Sequence, residues 1–316
     1  MKIMITGGLG FIGSHLVDTL AKSNHEIIIL TRSLSKKKNL KSNLKKNKIT
    51  IKKLNIENFK KFSEIIVKYN PDVLFHLAGE TSHSNSFLDP MNDVDSNIKS
   101  TICALETIRK NKIKCRFILG STFVTIGKPE KLPINENSIC NPTTIYGASK
   151  LNCENLCKIY NNVYDLDTII FRITNSFGPR EQTISNKNAI NYLIFRAFNG
   201  EQITLFNKGK FFRDLIYITD VISALQIIMK KGKSGNLYWI SSGKKTWFYK
   251  FGNLLTKNTG TKVVFSPTPK YTKKTDVGNF IVDNSKLKKL GWSQKISIEQ
   301  GITKTLDYFN SENLNS

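Results

Sequence analysis

Four glycines crowd the segment Thr6-Gly7-Gly8-Leu9-Gly10-Phe11-Ile12-Gly13, and no other stretch of the chain narrows its fold as far. An apolar run, Lys2 to Ile5, leads into it, and an apolar-periodic stretch, Phe11 to Leu20, leads out. The pattern reads as strand, tight turn, helix. Glycine adopts turn conformations that a side chain forbids, and it lets backbone approach a neighbour closely. The helix that follows presents unpaired N–H groups and the positive end of its dipole at the turn, a setting that favours a pyrophosphate.

The first half of the chain repeats this rhythm. Strands are expected near 2–6, 26–31, 49–54, 72–77, 114–120 and 166–172, and helices near 11–22, 57–69, 91–111 and 142–162. Alternation of this kind gives a parallel sheet covered on both faces. Asn70-Pro71 and Asn141-Pro142 mark turns, with Pro142 placed where a helix begins. After Gly178-Pro179-Arg180 the rhythm breaks into a helix near 188–199, short strands around 202–216, and helices near 219–231, 246–257, 283–290 and 297–311. The expected fold class is α/β: a doubly wound parallel sheet of Rossmann type with a smaller C-terminal α/β substrate domain. Residues 1–175, with a returning contribution from about 214–241, would form the first unit and 176–316 the second.

Composition sets the outer limits. A chain of 316 residues with 40% apolar and 10% aromatic content can bury a real core. No apolar stretch approaches the length of a bilayer span, and the N-terminus reads as a strand rather than a secretory signal, so a cytoplasmic location is expected. Cysteines at 103, 115, 140, 153 and 157 form no metal-ligand doublet, and reduced core thiols are expected. The formal charge of +24 invites nucleic acid or an acidic surface as a partner. Lysine is abundant along the whole chain, however, which points to compositional bias. One segment is more pointed: Arg32 to Lys53 holds ten basic residues and no acidic one.

Ligands of doubly wound sheets bind beyond the carboxyl ends of the strands. The fourth strand ends in Phe75-His76-Leu77-Ala78-Gly79, where small residues would let a flat nicotinamide-ribose lie against backbone. Asn55-Ile56 closes the third, near where an adenine would sit, and Gly120-Ser121-Thr122 closes the fifth. Tyr146 and Lys150, four apart in Thr-Ile-Tyr-Gly-Ala-Ser-Lys, share a helical face. An ammonium beside a phenol is expected to lower its pKa and give a base usable near neutral pH. Thr122 would hydrogen-bond the substrate oxygen whose proton Tyr146 moves. His76, in an apolar strand, reads as a core residue, whereas His83 falls in a segment able to touch substrate. Asp95, Asp167 and Asp220 have no partner at metal-ligating spacing, so no metal is expected.

Together these segments resemble the extended short-chain dehydrogenases/reductases, in their nucleotide-sugar epimerase/dehydratase branch. The likeness runs through Thr6–Gly13, Leu77-Ala-Gly79, Thr122 five residues before Gly127, Tyr146-Gly-Ala-Ser-Lys150 and Arg172-Ile-Thr-Asn175-Ser-Phe-Gly-Pro-Arg180. It continues in Arg213-Asp214-Leu-Ile-Tyr217-Ile-Thr-Asp220 and Asp283-Asn-Ser-Lys-Leu-Lys-Lys-Leu-Gly-Trp292. The resemblance implies that Tyr146 is the general base and acid, that Lys150 holds the nicotinamide ribose, and that Thr122 orients the reacting sugar oxygen. It further implies that Gly7, Gly10, Phe11, Ile12, Gly13, Thr31, Arg32, Asn55, Ile56, Leu77, Ala78 and Gly79 line the cofactor site. Asn175 and Arg213 would grip a substrate diphosphate, Ser86 would line the sugar pocket, and Lys273 or Lys274 would stand where the family has a second phosphate arginine.

Two departures narrow the implied reaction. The 4,6-dehydratases carry an Asp–Glu pair or a Glu after the threonine, where this chain has Phe123 and Val124. An NAD-preferring fold carries an acid at the end of the second strand, where this chain has Thr31-Arg32-Ser33. The expectation is a C4 epimerase of nucleotide-diphosphate sugars, or an NADPH-dependent 4-keto-sugar reductase, preferring NADP to NAD. A non-catalytic nucleic-acid or regulatory module on the same fold is the distant alternative. A homodimer without membrane insertion is expected.

Overall fold

A computed structural model describes residues 1–40, 48–184 and 188–313. Residues 41–47 of the basic stretch Arg32 to Lys53 lie outside the described part, as does the side chain of His83.

The chain begins β1 (Lys2–Thr6), α1 (Phe11–Leu20), β2 (Glu26–Thr31), β3 (Ile49–Lys53), α2 (Phe59–Tyr69) and β4 (Val73–His76). It continues with α3 (His83–Leu88), α4 (Pro90–Asp93), α5 (Ser100–Lys110), β5 (Arg116–Thr122), α6 (Ile145–Tyr164), β6 (Thr168–Ile173) and β7 (Asn175–Phe177). Then come α7 (Ala189–Phe198), β8 (Ile203–Phe206), β9 (Phe212–Arg213), β10 (Leu215–Tyr217), α8 (Ile218–Lys231) and β11 (Leu237–Ile240). The last elements are β12 (Thr246–Trp247), α9 (Phe248–Thr259), β13 (Val263–Ser266), α10 (Lys270–Thr275), α11 (Ser285–Lys288) and α12 (Ile298–Asn313).

Seven strands form one parallel sheet in the order β3–β2–β1–β4–β5–β6–β11. Alternate strand residues serve opposite faces, as the period of two requires. Ile3, Ile5, Ile27, Ile29, Phe75 and Ile118 pack with Leu16 and Val17 of α1 and Leu225 of α8. Met4, Ile28, Leu30, Leu74, Phe117 and Leu119 pack with Phe62 of α2, Leu105 of α5 and Cys153 and Cys157 of α6. Burial on both faces is what made the strands read as nearly continuous apolar runs. The five cysteines are free thiols, with Cys153 and Cys157 fully buried in the second cluster. Strand order reverses between β1 and β4, so a crevice opens above their carboxyl ends. Among the described residues, three two-stranded ladders (β7–β10, β9–β12 and β8–β13) and the helices α7, α9, α10, α11 and α12 lie outside this sheet.

The seventh strand, β11, is not among the expected strands, and two helix boundaries near the crevice differ from the sequence expectation. The helix expected at 91–111 is interrupted by a π-helical segment, Val94–Lys99, between α4 and α5. The helix expected from Pro142 begins at Ile145, because Asn141 is paired with Gly127 and the Thr144 hydroxyl accepts the Gly147 N–H at 3.0 Å as the N-cap.

Candidate functional site

The crevice is built on the glycine turn. Gly7 has φ +70° and donates its N–H to the Leu30 carbonyl at 2.8 Å. A Cβ at Gly13 would come within 2.3 Å of the Gly7 carbonyl oxygen, so α1 can lie this close to the turn only without one. Gly10, the N-cap of α1, brings no side-chain oxygen, and no acidic residue stands in the first turn. The first-turn N–H groups are thus left to an anion.

All the residues expected to hold the cofactor line one cleft of about 550 Å³: Gly7, Gly10, Phe11, Ile12, Gly13, Thr31, Arg32, Asn55, Ile56, Leu77, Ala78, Gly79, Tyr146 and Lys150. Its volume falls in the range of small-molecule sites, about 300–1,000 Å³. The Thr6 hydroxyl shapes the floor by accepting the N–H groups of Leu77 and Ala78, both at 3.0 Å. With both N–H groups accepted, its own proton is directed to His76 Nδ1, 3.2 Å away, leaving Nε2–H to donate to the Ser100 hydroxyl at 3.1 Å. Burial, reinforced by the charge of Lys150, pushes the His76 pKa down to about 3. His76 is a neutral, satisfied core histidine.

At the end of β2 no carboxylate enters the cleft wall; Thr31, Arg32, Ser33, Ser35 and Lys36 form it. Thr31 donates its hydroxyl to the Ser33 carbonyl at 2.8 Å, which turns the chain back. Asn39 then donates to the Leu9 carbonyl at 3.0 Å, and Leu40 is buried. The start of the basic segment, residues 32–40, is therefore tied to the glycine turn.

On the opposite wall, Tyr146 and Lys150 share the buried face of α6. Thr122 is buried beside them, hydrogen-bonded to the Tyr146 phenol. The expected lowering of the phenol pKa is not what the chain by itself produces. Burial pushes it well above the ordinary tyrosine value, and the nearby Asp93, Cys153 and Glu80 add to the rise against the opposing Thr122 hydrogen bond. Asp93 is fully buried and accepts from Ser149 Oγ and Asn97 Nδ2, both at 3.0 Å.

The residues expected to hold substrate are not gathered in this cleft. Ser86 is fully buried and donates to the Ser82 carbonyl at 3.0 Å, so it shapes α3 rather than facing the cleft. Asn175 opens β7, with a buried side-chain oxygen that has no partner. Arg213 is buried on β9, where its guanidinium donates to Asp276 at 2.5 Å and to the Gly278 carbonyl. Lys273 is exposed on α10, three residues before the aspartate that holds Arg213. Sequence reasoning missed several cleft residues: Glu57, Glu80, Asn97, Ser121, Glu181 and Gln182. Ser121 adjoins Thr122, and Glu181-Gln182 follow the Gly-Pro-Arg break, so each had a neighbouring signal. Asn97 had none, since it enters the cleft from the π-helical segment.

Among the described residues, no group of three His, Cys, Asp or Glu side chains could hold a metal, and no helix is long and apolar enough to cross a membrane. A glycine turn under uncapped N–H groups, a floor of small residues and a Tyr–Lys wall fit a nicotinamide dinucleotide. The family model described as GDP-mannose 4,6 dehydratase matches residues 4–305. The chain belongs to the extended short-chain dehydrogenase/reductase family of nucleotide-sugar epimerases and dehydratases. It is 28% identical over 314 residues to a putative UDP-glucose 4-epimerase of Methanocaldococcus jannaschii, covering 98% of this chain and 99% of that one. It is 36% identical over 256 residues to a dTDP-D-glucose 4,6-dehydratase of Dictyostelium discoideum, covering 76% of this chain and 58% of that one. The solved UDP-glucose 4-epimerase of Thermotoga maritima, crystallised with UDP-glucose, superposes with a TM-score of 0.90 at 31% identity, over 99% of this chain and all of that one. This family holds both reactions, so membership does not choose between them.

Proposed function

We propose that the protein is a C4 epimerase of nucleotide-diphosphate sugars that uses a bound nicotinamide cofactor. The observation that carries this reading is Tyr146 and Lys150 at one wall of a cleft of about 550 Å³, with buried Thr122 hydrogen-bonded to the Tyr146 phenol behind them and no acid at 123 and 124. Phe123 packs edge-on against Phe280, with ring centroids 5.1 Å apart, and Val124 is buried. Neither can protonate a departing C6 hydroxyl, which argues against dehydration even though a dehydratase is among the relatives.

The nicotinamide, when bound, supplies the hydride acceptor and donor, and in its oxidised form a positive charge. Tyr146 takes the proton of the sugar hydroxyl and returns it to the same oxygen when the centre has been inverted. Thr122 holds that oxygen, and Lys150 the nicotinamide ribose. Burial raises the pKa of the Tyr146 phenol and the Thr122 hydrogen bond opposes the rise. A nearby positive charge, from Lys150 or from an oxidised nicotinamide, would favour the phenolate that accepts the sugar proton. Residues 176–213 and 242–316 supply the substrate side, with Arg213 as a fork for the diphosphate.

A second reading, an NADPH-dependent 4-keto-sugar reductase, is favoured by the absence of an acid after β2. Incubation with UDP-, dTDP-, GDP- and CDP-sugars, with and without added NADPH, tests both. Epimerised sugar without net consumption of cofactor supports the first reading. Product formed only at the stoichiometric expense of NADPH supports the second, and turnover of no sugar overturns both.

A further inference from the structure

One buried charge pair lies behind the Tyr–Lys wall, and the steps above make no use of it. Arg172 on β6 meets Glu154 on α6 through two hydrogen bonds, Nε to Oε1 at 2.9 Å and Nη2 to Oε2 at 2.6 Å. Their side chains are 2% and 0% exposed. Ser121 donates its hydroxyl to the same Oε1 at 2.5 Å, and Ser121 also lines the cleft. The three groups are not a chance cluster. Ser121 and Arg172 are direct partners in the β5–β6 ladder, and Arg172 and Trp239 are partners in the β6–β11 ladder. A row thus runs across three strands beneath α6, with the Arg172 guanidinium stacked on Trp239 at 5.3 Å. Glu154 comes down onto this row from the helix. It lies four residues after Lys150 and eight after Tyr146, on the buried face that carries both.

Stability is a poor explanation for such a pair. Taking two charges out of water costs about as much as their attraction returns, and apolar residues of similar volume often serve as well. Geometry is what an apolar contact cannot supply. A helix resting on methyl groups can slide or roll by a fraction of an ångström, whereas a two-pronged ion pair with a third hydroxyl on the carboxylate fixes both rotation and height. Cys153 and Cys157 pack on the sheet in the permissive way, and besides the charge pair the directional contacts are the Thr122 bond to the Tyr146 phenol and the Thr168 hydroxyl on the Cys157 carbonyl at 2.9 Å.

We infer that Ser121, Glu154 and Arg172 form a positioning brace that sets α6 on the sheet and thereby aims Tyr146 and Lys150 at the nicotinamide end of the cleft. The inference rests on the proposed nicotinamide-dependent reading of that cleft. Glu154 and Arg172 act only through the helix, and Ser121, which also lines the cleft, spends its hydroxyl proton on Glu154, so all three are positioning residues.

The test is the paired variant Glu154→Met/Arg172→Met, which removes both charges without leaving one stranded, with Ser121→Ala as a milder second. In each, three quantities are measured: the melting temperature, the affinities for NADPH and UDP by calorimetry, and kcat with KM for the sugar the wild type turns over. The emission of bound NADPH is recorded as well, since it reports the surroundings of the nicotinamide independently of any sugar. A brace predicts a folded protein whose NADPH and UDP affinities stay within about twofold while bound-NADPH emission changes. It also predicts that kcat falls by about 10²-fold in the paired variant, the cost of an ångström-scale misplacement, with KM little changed. Unchanged emission and kcat in a folded paired variant overturn the brace. So does a parallel loss of affinity, melting temperature and kcat in both variants, which would mark a merely structural pair. If the wild type turns over no nucleotide sugar but emission responds as stated, the proposed function falls and the brace stands.

Discussion

Replacing Tyr146 by phenylalanine removes one oxygen from a wall that Lys150, Asn97 and Gly79 share. The ring keeps its packing, so cofactor affinity should hold while turnover falls by about 10²–10⁴-fold, the usual worth of a general base. Near-wild-type turnover in this variant would exclude the assigned role. Arg213 presents the opposite case. Its fork is already held by Asp276 and the Gly278 carbonyl, which places the guanidinium with little further ordering to lose on binding. Arg213→Ala should weaken UDP or dTDP binding by roughly 1.5–3 kcal/mol, the range for a hydrogen bond to a charged group, and leave NADPH affinity alone. Calorimetry that finds every nucleotide bound as before would remove Arg213 from the substrate side. The two residues also show what was legible. The residues expected to hold the cofactor are legible locally, through glycines and small residues at strand ends, and they do line one cleft. Those expected to hold substrate, Ser86, Asn175 and Arg213, come from separate segments outside the sheet, and no local pattern says which face of each will be open.

Periodicity made the first six strands of the main sheet and most of the helices readable, because each has one or two faces committed to the core, but not the four-residue β11 that completes the sheet. It could not reveal the π-helical segment at Val94–Lys99, since one widened turn barely disturbs the apolar spacing of a helix. Nor could it foresee that Asp214, next to Arg213, would be a buried carboxylate serving as a knot between elements. Its Oδ1 accepts from the Ser242 N–H and hydroxyl at 2.8 and 2.7 Å, and its Oδ2 from the N–H groups of Gly243 and Val282 at 3.1 and 3.3 Å. These bonds join β9 and β10 to the turn after β11 and to the strand-like stretch before α11. Burial nevertheless outweighs them and raises the Asp214 pKa from 3.8 to about 6. The folded protein therefore binds this proton more tightly than the unfolded chain does. The stabilising contribution is complete below about pH 3.8 and is lost as pH rises through about 6. The melting temperature of the wild type relative to Asp214→Asn should accordingly decline between pH 4 and pH 7, because the variant has nothing to titrate there. A difference that stays flat or grows across this interval would show that the carboxylate is ionised at no net cost.

Across the whole molecule, 48 basic residues against 24 acidic ones create a positive field, and every ligand proposed for the cleft is an anion. Such a field raises encounter rates without conferring selectivity, and salt weakens it beyond about 8–10 Å. Selectivity between NADP and NAD must come from close contacts, and these lie after β2. An acid there would accept from the ribose 2′-hydroxyl and repel a 2′-phosphate. Instead Arg32, Ser33, Ser35 and Lys36 line that end of the cleft, and the Asn39–Leu9 hydrogen bond holds the segment against the glycine turn. The plain alternative, a basic loop facing only solvent, does not account for that tether or for the burial of Leu40. NADP should therefore bind more tightly than NAD. Its advantage should shrink as salt rises, because the additional contact is between a phosphate and partly exposed cations. Arg32→Ala should remove most of the difference and leave NAD affinity nearly unchanged. Fluorescence or calorimetric titration with both dinucleotides at low and high salt decides the matter. Equal or stronger NAD binding would refute the preference, and it would weigh against the reductase reading, which draws its support from this same corner of the cleft.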